Sequence, residues 1–250
     1  HATQEEAEAE TRQMLNTYKT FFEDYLAIPV IAGKKTEKEK FAGAEYSLTN
    51  EALMYNGIAL QASTSHYFGQ KFTEAYNVKF TNKENKDEYA YYTTWGKTTR
   101  AIAAIIMVHA DDYGLVLPPR IAPKQVVIVP IGNVDDITNK INKELNDNNI
   151  VSYIDDSEKS PGFKFAEAEV KGYPVRIEVG KRDLANGVVT IVRRDTLEKI
   201  SVPVDEAVMK VNELLINIQN DMYNKALERR NNMLYEADTY EEMTEISKKP

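Results

Sequence analysis

The run Trp95-Gly96-Lys97-Thr98-Thr99-Arg100 ends on an arginine that opens a stretch of almost unbroken Ala, Ile, Met and Val. A guanidinium at such a strand-to-helix junction is held rigidly by the helix behind it, and its planar fork suits phosphate oxygens. A second run, Gln61-Ala62-Ser63-Thr64-Ser65-His66, sets Gln61, Thr64 and His66 at the end of a strand, where side chains can meet one ligand together. Phe41, in Lys40-Phe41-Ala42-Gly43-Ala44, and Trp95 are candidates for the walls of a small apolar pocket, and aromatic faces also suit a cation. Gly43 permits close backbone approach there. For both aromatics core packing is the competing reading, and a lone strand histidine is more often structural than a ligand. His109 stands in no comparable run and is read as structural. The chain has no cysteine, which excludes disulfides, thiolate zinc sites and a cysteine nucleophile.

The elements that must position these groups follow from periodicity. Thr3 with Glu5 and Glu6 reads as a helix start, and Met14, Leu15, Tyr18, Phe21, Phe22, Tyr25 and Leu26 recur at helical spacing, so one face must be buried. Ile28–Ile31 reads as a short strand, Gly33–Lys40 as a charged loop, and Ala44–Tyr55, Ile58–Thr64 and Glu88–Thr94 as antiparallel strands. Ala101–Val108 is too apolar for a surface helix and is expected to run through the core, with its N-terminus facing a cavity. The proline-rich stretch Leu115–Pro123 then marks a linker. Beyond it, Gln125–Ile131 has the pattern of a strand buried on both faces. Helical and strand patterns alternate through Ile137–Leu145, Ile150–Ile154, Phe165–Val170, Val175–Val179 and Val188–Val192. That order predicts an α/β domain with a mostly parallel or mixed sheet. Residues 204–246 read as one long helix or two, with Val208, Val211, Leu214, Leu215 and Ile218 on one face. The expected organisation is therefore α+β and then α/β: residues 1–117, a linker at 118–123, a second domain at 124–203, and a helical extension at 204–250.

Composition bounds the partners. At 250 residues and 42% hydrophobic content, two moderate cores are possible. No apolar run approaches the ~20 residues needed to span a bilayer, so no membrane partner is expected. A reducing compartment fits the missing cysteines, and the expected location is cytoplasmic. A net charge of −8 argues against a general nucleic-acid coat. Its excess lies in residues 1–27 and 204–250, whereas 162–200 holds eight Lys or Arg against six Asp or Glu, enough for a local nucleic-acid surface.

Two further segments complete a pattern. Gly114-Leu115-Val116-Leu117-Pro118-Pro119-Arg120 runs into Gln125-Val126-Val127-Ile128-Val129-Pro130, and Ser160-Pro161-Gly162-Phe163-Lys164-Phe165 continues through Lys171-Gly172-Tyr173-Pro174-Val175-Arg176 to Glu178-Val179-Gly180-Lys181-Arg182-Asp183. In this order and spacing the five segments resemble prolyl-tRNA synthetases, from past the second class II signature to the end of the anticodon-binding domain. Ala62 and Ser63 stand where that family commonly has Gly and Ala or Thr, and Lys97 replaces an apolar residue.

The resemblance implies a partial class II antiparallel sheet with helices, then an anticodon-binding domain with a mixed sheet. It implies ATP-dependent ligation of L-proline to tRNA(Pro) through a prolyl-adenylate. Arg100 is the expected catalytic residue, on the terminal phosphates of ATP with Thr98 beside it. Gln61 and Thr64 face ATP or its Mg2+, the metal contact of Gln61 being indirect through ATP, and Phe41, His66 and Trp95 form the proline pocket. In the second domain Phe165 stacks on an unstacked base, Glu169 and Asp183 accept from guanine N–H groups, and Arg176 and Arg182 donate. Activation of this kind rests on positioning and charge stabilisation, so no catalytic triad is needed. The short path from Thr3 to Trp95 has no room for a large editing insertion, which implies the archaeal and eukaryotic type. The resemblance also implies a homodimer for the intact enzyme, two class II signatures upstream of His1, and therefore no activity from this polypeptide alone. A zinc-binding domain often ends that type, and nothing of it is visible in a cysteine-free chain. The alternative is a tRNA-binding module or paralogue with a catalytic remnant and no ligase activity.

Overall fold

The computed structural model describes residues 1–248. Its elements in chain order are helix α1 (Gln4–Thr20), strands β1 (Val30–Lys34), β2 (Tyr46–Leu53) and β3 (Ala59–Gly69), helix α2 (Lys71–Ala75), strands β4 (Lys79–Thr81), β5 (Asp87–Tyr89) and β6 (Tyr92–Gly96), and helix α3 (Arg100–His109). The second half runs β7 (Val126–Ile131), α4 (Asp135–Asp147), β8 (Ser152–Ile154), α5 (Pro161–Lys171), β9 (Val175–Gly180), α6 (Lys181–Ala185), β10 (Val188–Arg193), β11 (Lys199–Pro203), α7 (Ala207–Asn232) and α8 (Tyr240–Ile246).

Helix α1 starts where its sequence says it should. The Thr3 side chain accepts from the Glu6 N–H, and the Glu6 side chain accepts from the Thr3 N–H, so two otherwise orphaned donors are satisfied reciprocally. A single π-turn, Phe21–Tyr25, ends it. Leu15, Phe22 and Leu26 are buried as expected, but Tyr25 is exposed and stacks on Phe21 instead. The helix lies across one face of an antiparallel sheet of order β1-β2-β3-β6, where Asn50 donates to the Leu15 carbonyl at 2.9 Å. The Glu88–Thr94 strand proves to be two: β5 pairs only with β4 in a small hairpin, and β6 joins the main sheet after a break at Ala90 and Tyr91.

Helix α3 departs from expectation. Only Ala101, Ala104 and Val108 are buried, while Ile102 is 61% exposed and Ile106 and Met107 are also exposed. Small residues at i, i+3 and i+7 make a contact stripe too narrow to enclose the helix, so it lies along the surface rather than through the core.

The second sheet is mixed, of order β11-β10-β9-β7-β8, with β7 parallel to β8 and β9, and β10 antiparallel to β9 and β11. Its first face packs Val126, Ile128, Val175, Ile177, Val189 and Ile191 against α4 and α7. The α/β expectation thus settles on a mixed sheet.

Residues 204–246 form two helices, α7 and α8, separated by a loop; positions 249–250 of the expected extension lie outside the described residues. Helix α7 is no appendage. Val211, Leu214, Leu215, Ile218 and Met222 belong to the second core, and Ala226, one turn further on, belongs to the first. A boundary at 203/204 would therefore cut a core in half. The linker is likewise packed rather than loose. Pro118 and Pro119 are buried, the Arg120 N–H donates to Gln219 Oε1 of α7, and the Gln219 amide donates to the Asp24 carbonyl at 2.9 Å. A Cβ on Gly114 would sit 2.5 Å from Val170 Cα, so only glycine lets the linker press against α5. Among the described residues no helix is long and apolar enough to cross a membrane.

Candidate functional site

A β-bulge builds the first site. Register between β2 and β3 runs Asn50 opposite Ser63 and then Glu51 opposite Gln61, so Ala62 is an extra residue. Without it, Gln61 and Thr64, three apart, would point to opposite faces of the sheet. With it, Gln61, Thr64 and His66 share the face turned away from α1, and they line one cleft of about 270 Å³ together with Phe41, Thr94, Trp95, Thr98 and Arg100. Residues distant along the backbone thus converge on a single sheet surface.

Arg100 and Thr98 lie where the β6 chain turns into α3, and the Thr98 hydroxyl accepts the Arg100 N–H at 3.3 Å. The Arg100 side chain is exposed and has no hydrogen-bond or ion-pair partner among the described residues. Lys97, the odd residue in its run, places its ammonium 4.3 Å from the Phe21 ring centre. That contact gives the substitution a local partner on α1's last turn.

His66 is pinned. Its Nδ1 lies 2.7 Å from Ser47 Oγ, directly across the β2–β3 ladder, and its ring centre is 5.1 Å from that of Phe41. Burial first, and the nearby Lys35 cation second, hold its pKa below the usual value, so the imidazole is neutral at pH 7. Gly43, at φ +88°, carries the Phe41 loop past Phe72, whose ring edge would be 2.9 Å from any Cβ there.

Trp95 is among the residues that line the cleft. Its cross-strand partner is Ser65, on the α1 side, and its ring also approaches Tyr18 of that helix at 6.4 Å. Alternation along β6 gives the position opposite His66 to Thr94. His109 lies outside the cleft, its Nε2 2.9 Å from the Leu26 carbonyl oxygen, with burial pushing its pKa down to about 4.

Sequence reasoning missed the β2 side of this surface. Ser47, Thr49 and Glu51 face the same way as Gln61 and His66, Thr49 donates to Glu51 Oε1 at 2.7 Å, and the Lys35 ammonium donates to Gln61 Oε1. Polar residues at every second position of 47–51 were the available signal.

The second group of predicted residues splits in two. Phe165, Glu169 and Arg176 form a compact cluster beneath α5: Arg176 donates to Glu169 Oε1 at 2.9 Å and through Nε and Nη2 to Glu178 Oε1 at 3.1 and 3.0 Å, and its guanidinium carbon lies 4.5 Å from the Phe165 ring centre. Arg176 is buried, so its donors are spent internally rather than offered outward. Lys199 on β11 joins the cluster, donating to Glu178 Oε1 at 3.3 Å. Arg182 and Asp183 sit on α6 at the opposite end of β9, with Arg182 exposed. The helix over the cluster begins at Ser160, whose hydroxyl accepts the Phe163 N–H, followed by Pro161 at the first helical position, and ends on Gly172 at φ +72°.

An antiparallel sheet with a polar cleft on one face is thus followed by a five-stranded mixed sheet with aromatic and charged residues under one helix. Residues 125–214 match the family model described as "Anticodon binding domain". Over nearly all its length the chain is similar to proline–tRNA ligases. It is 50% identical over 251 residues to that of Lachnospira eligens, covering 99% of this chain and 52% of the relative, and 48% identical over 258 residues to that of Amoebophilus asiaticus, covering 100% and 52%. Among solved structures, prolyl-tRNA synthetase from Cryptosporidium parvum, complexed with L-proline and AMP, superposes with a TM-score of 0.92 at 39% identity, over 98% of this chain and 55% of that one. Sequence and fold are therefore similar to those of part of prolyl-tRNA synthetases, with a match to an anticodon-binding domain at residues 125–214, and the chain spans about half the length of the curated relatives it matches.

Proposed function

We propose that this chain serves the ATP-dependent ligation of L-proline to tRNA(Pro) through a prolyl-adenylate, supplying part of the ATP and proline pocket and the anticodon-binding surface. The observation that carries the reading is the convergence of Gln61, Thr64, His66, Thr98 and Arg100 on one cleft. The proline and AMP of the Cryptosporidium parvum complex are small molecules of the kind this cleft would take.

In this reading the proline carboxylate attacks the α-phosphorus of ATP and pyrophosphate leaves; a terminal ribose hydroxyl of the tRNA then attacks the acyl carbon and AMP leaves. Arg100, with no internal partner to give up, takes the outer phosphates, and Thr98 lies beside them. Gln61 and Thr64 face the nucleotide. Mg2+, when bound, neutralises phosphate charge; Gln61 Oε1 would reach it only through ATP, after releasing Lys35. Phe41, His66 and Trp95 line the proline pocket, with Thr94 opposite His66. In the second domain Phe165 offers a stacking face, Arg182 and Asp183, whose side chains are unpaired among the described residues, read base edges, and Glu169 and Arg176 read a base by exchanging partners.

The type of enzyme is read from the short chain path between Thr3 and Trp95, which suits the archaeal and eukaryotic form; the two curated relatives named above come from bacteria and lend that assignment no support. A homodimeric, cytoplasmic enzyme is the accompanying expectation. Calorimetry with a non-hydrolysable prolyl-adenylate mimic and with ATP tests the reading: the chain is expected to bind both, with mimic binding lost in His66→Ala and ATP binding lost in Arg100→Ala. Mimic affinity unchanged in His66→Ala together with ATP affinity unchanged in Arg100→Ala would overturn it, and tRNA(Pro) binding without any mimic or ATP binding would favour a tRNA-binding module.

A further inference from the structure

Ser47 lies at the centre of the proposed amino-acid pocket without having drawn any role from the sequence. It is fully buried on β2, opposite His66. Its hydroxyl has two neighbours. The backbone N–H of Phe41 donates to Ser47 Oγ at 3.0 Å, and His66 Nδ1 lies 2.7 Å from the same oxygen. These are the hydroxyl's only hydrogen-bond partners among the described residues.

Polar satisfaction then fixes the proton. An amide N–H can only donate, so Ser47 Oγ accepts from Phe41. If His66 carried its proton on Nδ1, it too would donate to Ser47, and the hydroxyl hydrogen would be left in a buried site with no acceptor. An unsatisfied buried donor is costly, whereas a hydroxyl rotated to donate to a bare Nδ1 leaves every group paired. The proton of the neutral imidazole therefore resides on Nε2. We propose that Ser47 is a positioning residue that locks His66 as the Nε2–H tautomer and ties the Phe41 loop to the same point, so that the cleft presents a fixed hydrogen-bond donor to a carboxyl or acyl oxygen.

One serine thus couples two walls of the pocket: the ring that donates and the loop that carries the aromatic face. A neutral Nε2–H suits an oxygen acceptor and not a secondary ammonium, which itself needs acceptors. It assigns His66 to the acyl end of a bound proline or its adenylate rather than to the ring nitrogen. The ligand part of this inference rests on the reading given under Proposed function; the tautomer part does not.

Long-range proton–nitrogen correlation spectra of the nitrogen-15-labelled chain at pH 8 test it. The chain has three histidines, and a His66→Gln spectrum assigns the signals of His66. The wild type is expected to show His66 with Nε2 protonated and Nδ1 bare; Ser47→Ala should mix the tautomers, and Ser47→Thr, which keeps the hydroxyl, should restore the single form. Affinity for the prolyl-adenylate mimic should fall about 10-fold in Ser47→Ala, the scale of one hydrogen bond, and recover in Ser47→Thr. A wild-type His66 protonated on Nδ1, or a tautomer pattern unchanged in Ser47→Ala, overturns the proposal. Should Ser47→Ala fail to fold, the wild-type and Ser47→Thr spectra still decide it. A chain that obeys the tautomer pattern but binds no mimic upholds the serine's role and overturns the pocket's.

Discussion

The cleft on the first sheet and the cluster beneath α5 both turn on an arginine, and the two are held in opposite ways. Arg100 is exposed and its side chain has no partner among the described residues, whereas Arg176 is buried between two carboxylates and an aromatic ring. A group kept free costs little folding energy and is ready for an anion. A group already neutralised supports the fold and reaches a ligand only by exchanging partners, so binding at the two places should carry different penalties.

The contrast is sharpest in stability. Arg176→Ala leaves Glu169 and Glu178 facing an empty space in a buried setting and should destabilise the chain by about 3–5 kcal/mol, read from urea unfolding. A loss below about 1 kcal/mol would mean that the cluster is wet and that the comparison is false. Acid offers a second probe, at the domain junction. Unfolded His109 takes up a proton near pH 6.5, the folded residue only near 4, so the unfolded chain binds more protons between those values. Stability should therefore decline as pH falls from about 6.5 to about 4, by up to about 3 kcal/mol, and His109→Gln should flatten that part of the curve. Arg100→Ala should do the reverse of Arg176→Ala: unfolding unchanged within about 0.5 kcal/mol, as for an unpaired surface group, but ATP affinity down roughly 50- to 100-fold. A stability loss matching that of Arg176→Ala would show hidden structural duty. The smallest effect is expected at Arg182→Ala, where tRNA(Pro) affinity should fall a fewfold and the slope of log affinity against log salt should lessen by about 0.7–0.9.

Much of this was legible beforehand, for identifiable reasons. Periodic burial marked α1, and the Val- and Ile-rich run marked β7, because each is a local pattern with one dominant cause. The motif runs marked Gln61, Thr64, His66, Thr98 and Arg100. What brings Gln61 onto the same face as Thr64 is the bulge at Ala62, and that is a property of pairing between two strands, invisible along either alone. The place of Thr94 opposite His66 escaped for the same kind of reason: it is set by the register of β6 on β3. Helix α3 was misjudged because apolar composition says how much surface a helix would bury and not how much neighbouring structure there is to bury it.

Helix α7 carries a wider implication. Its 26 residues span about 40 Å, and its side chains are shared out between two hydrophobic cores. Neither half can swing as a free body while that rod keeps its footing in both, and neither can melt without loosening the other. Counted by cores the molecule has two parts; counted by what can move separately it has one, and strain applied to one core would be felt along a shaft and not across a hinge.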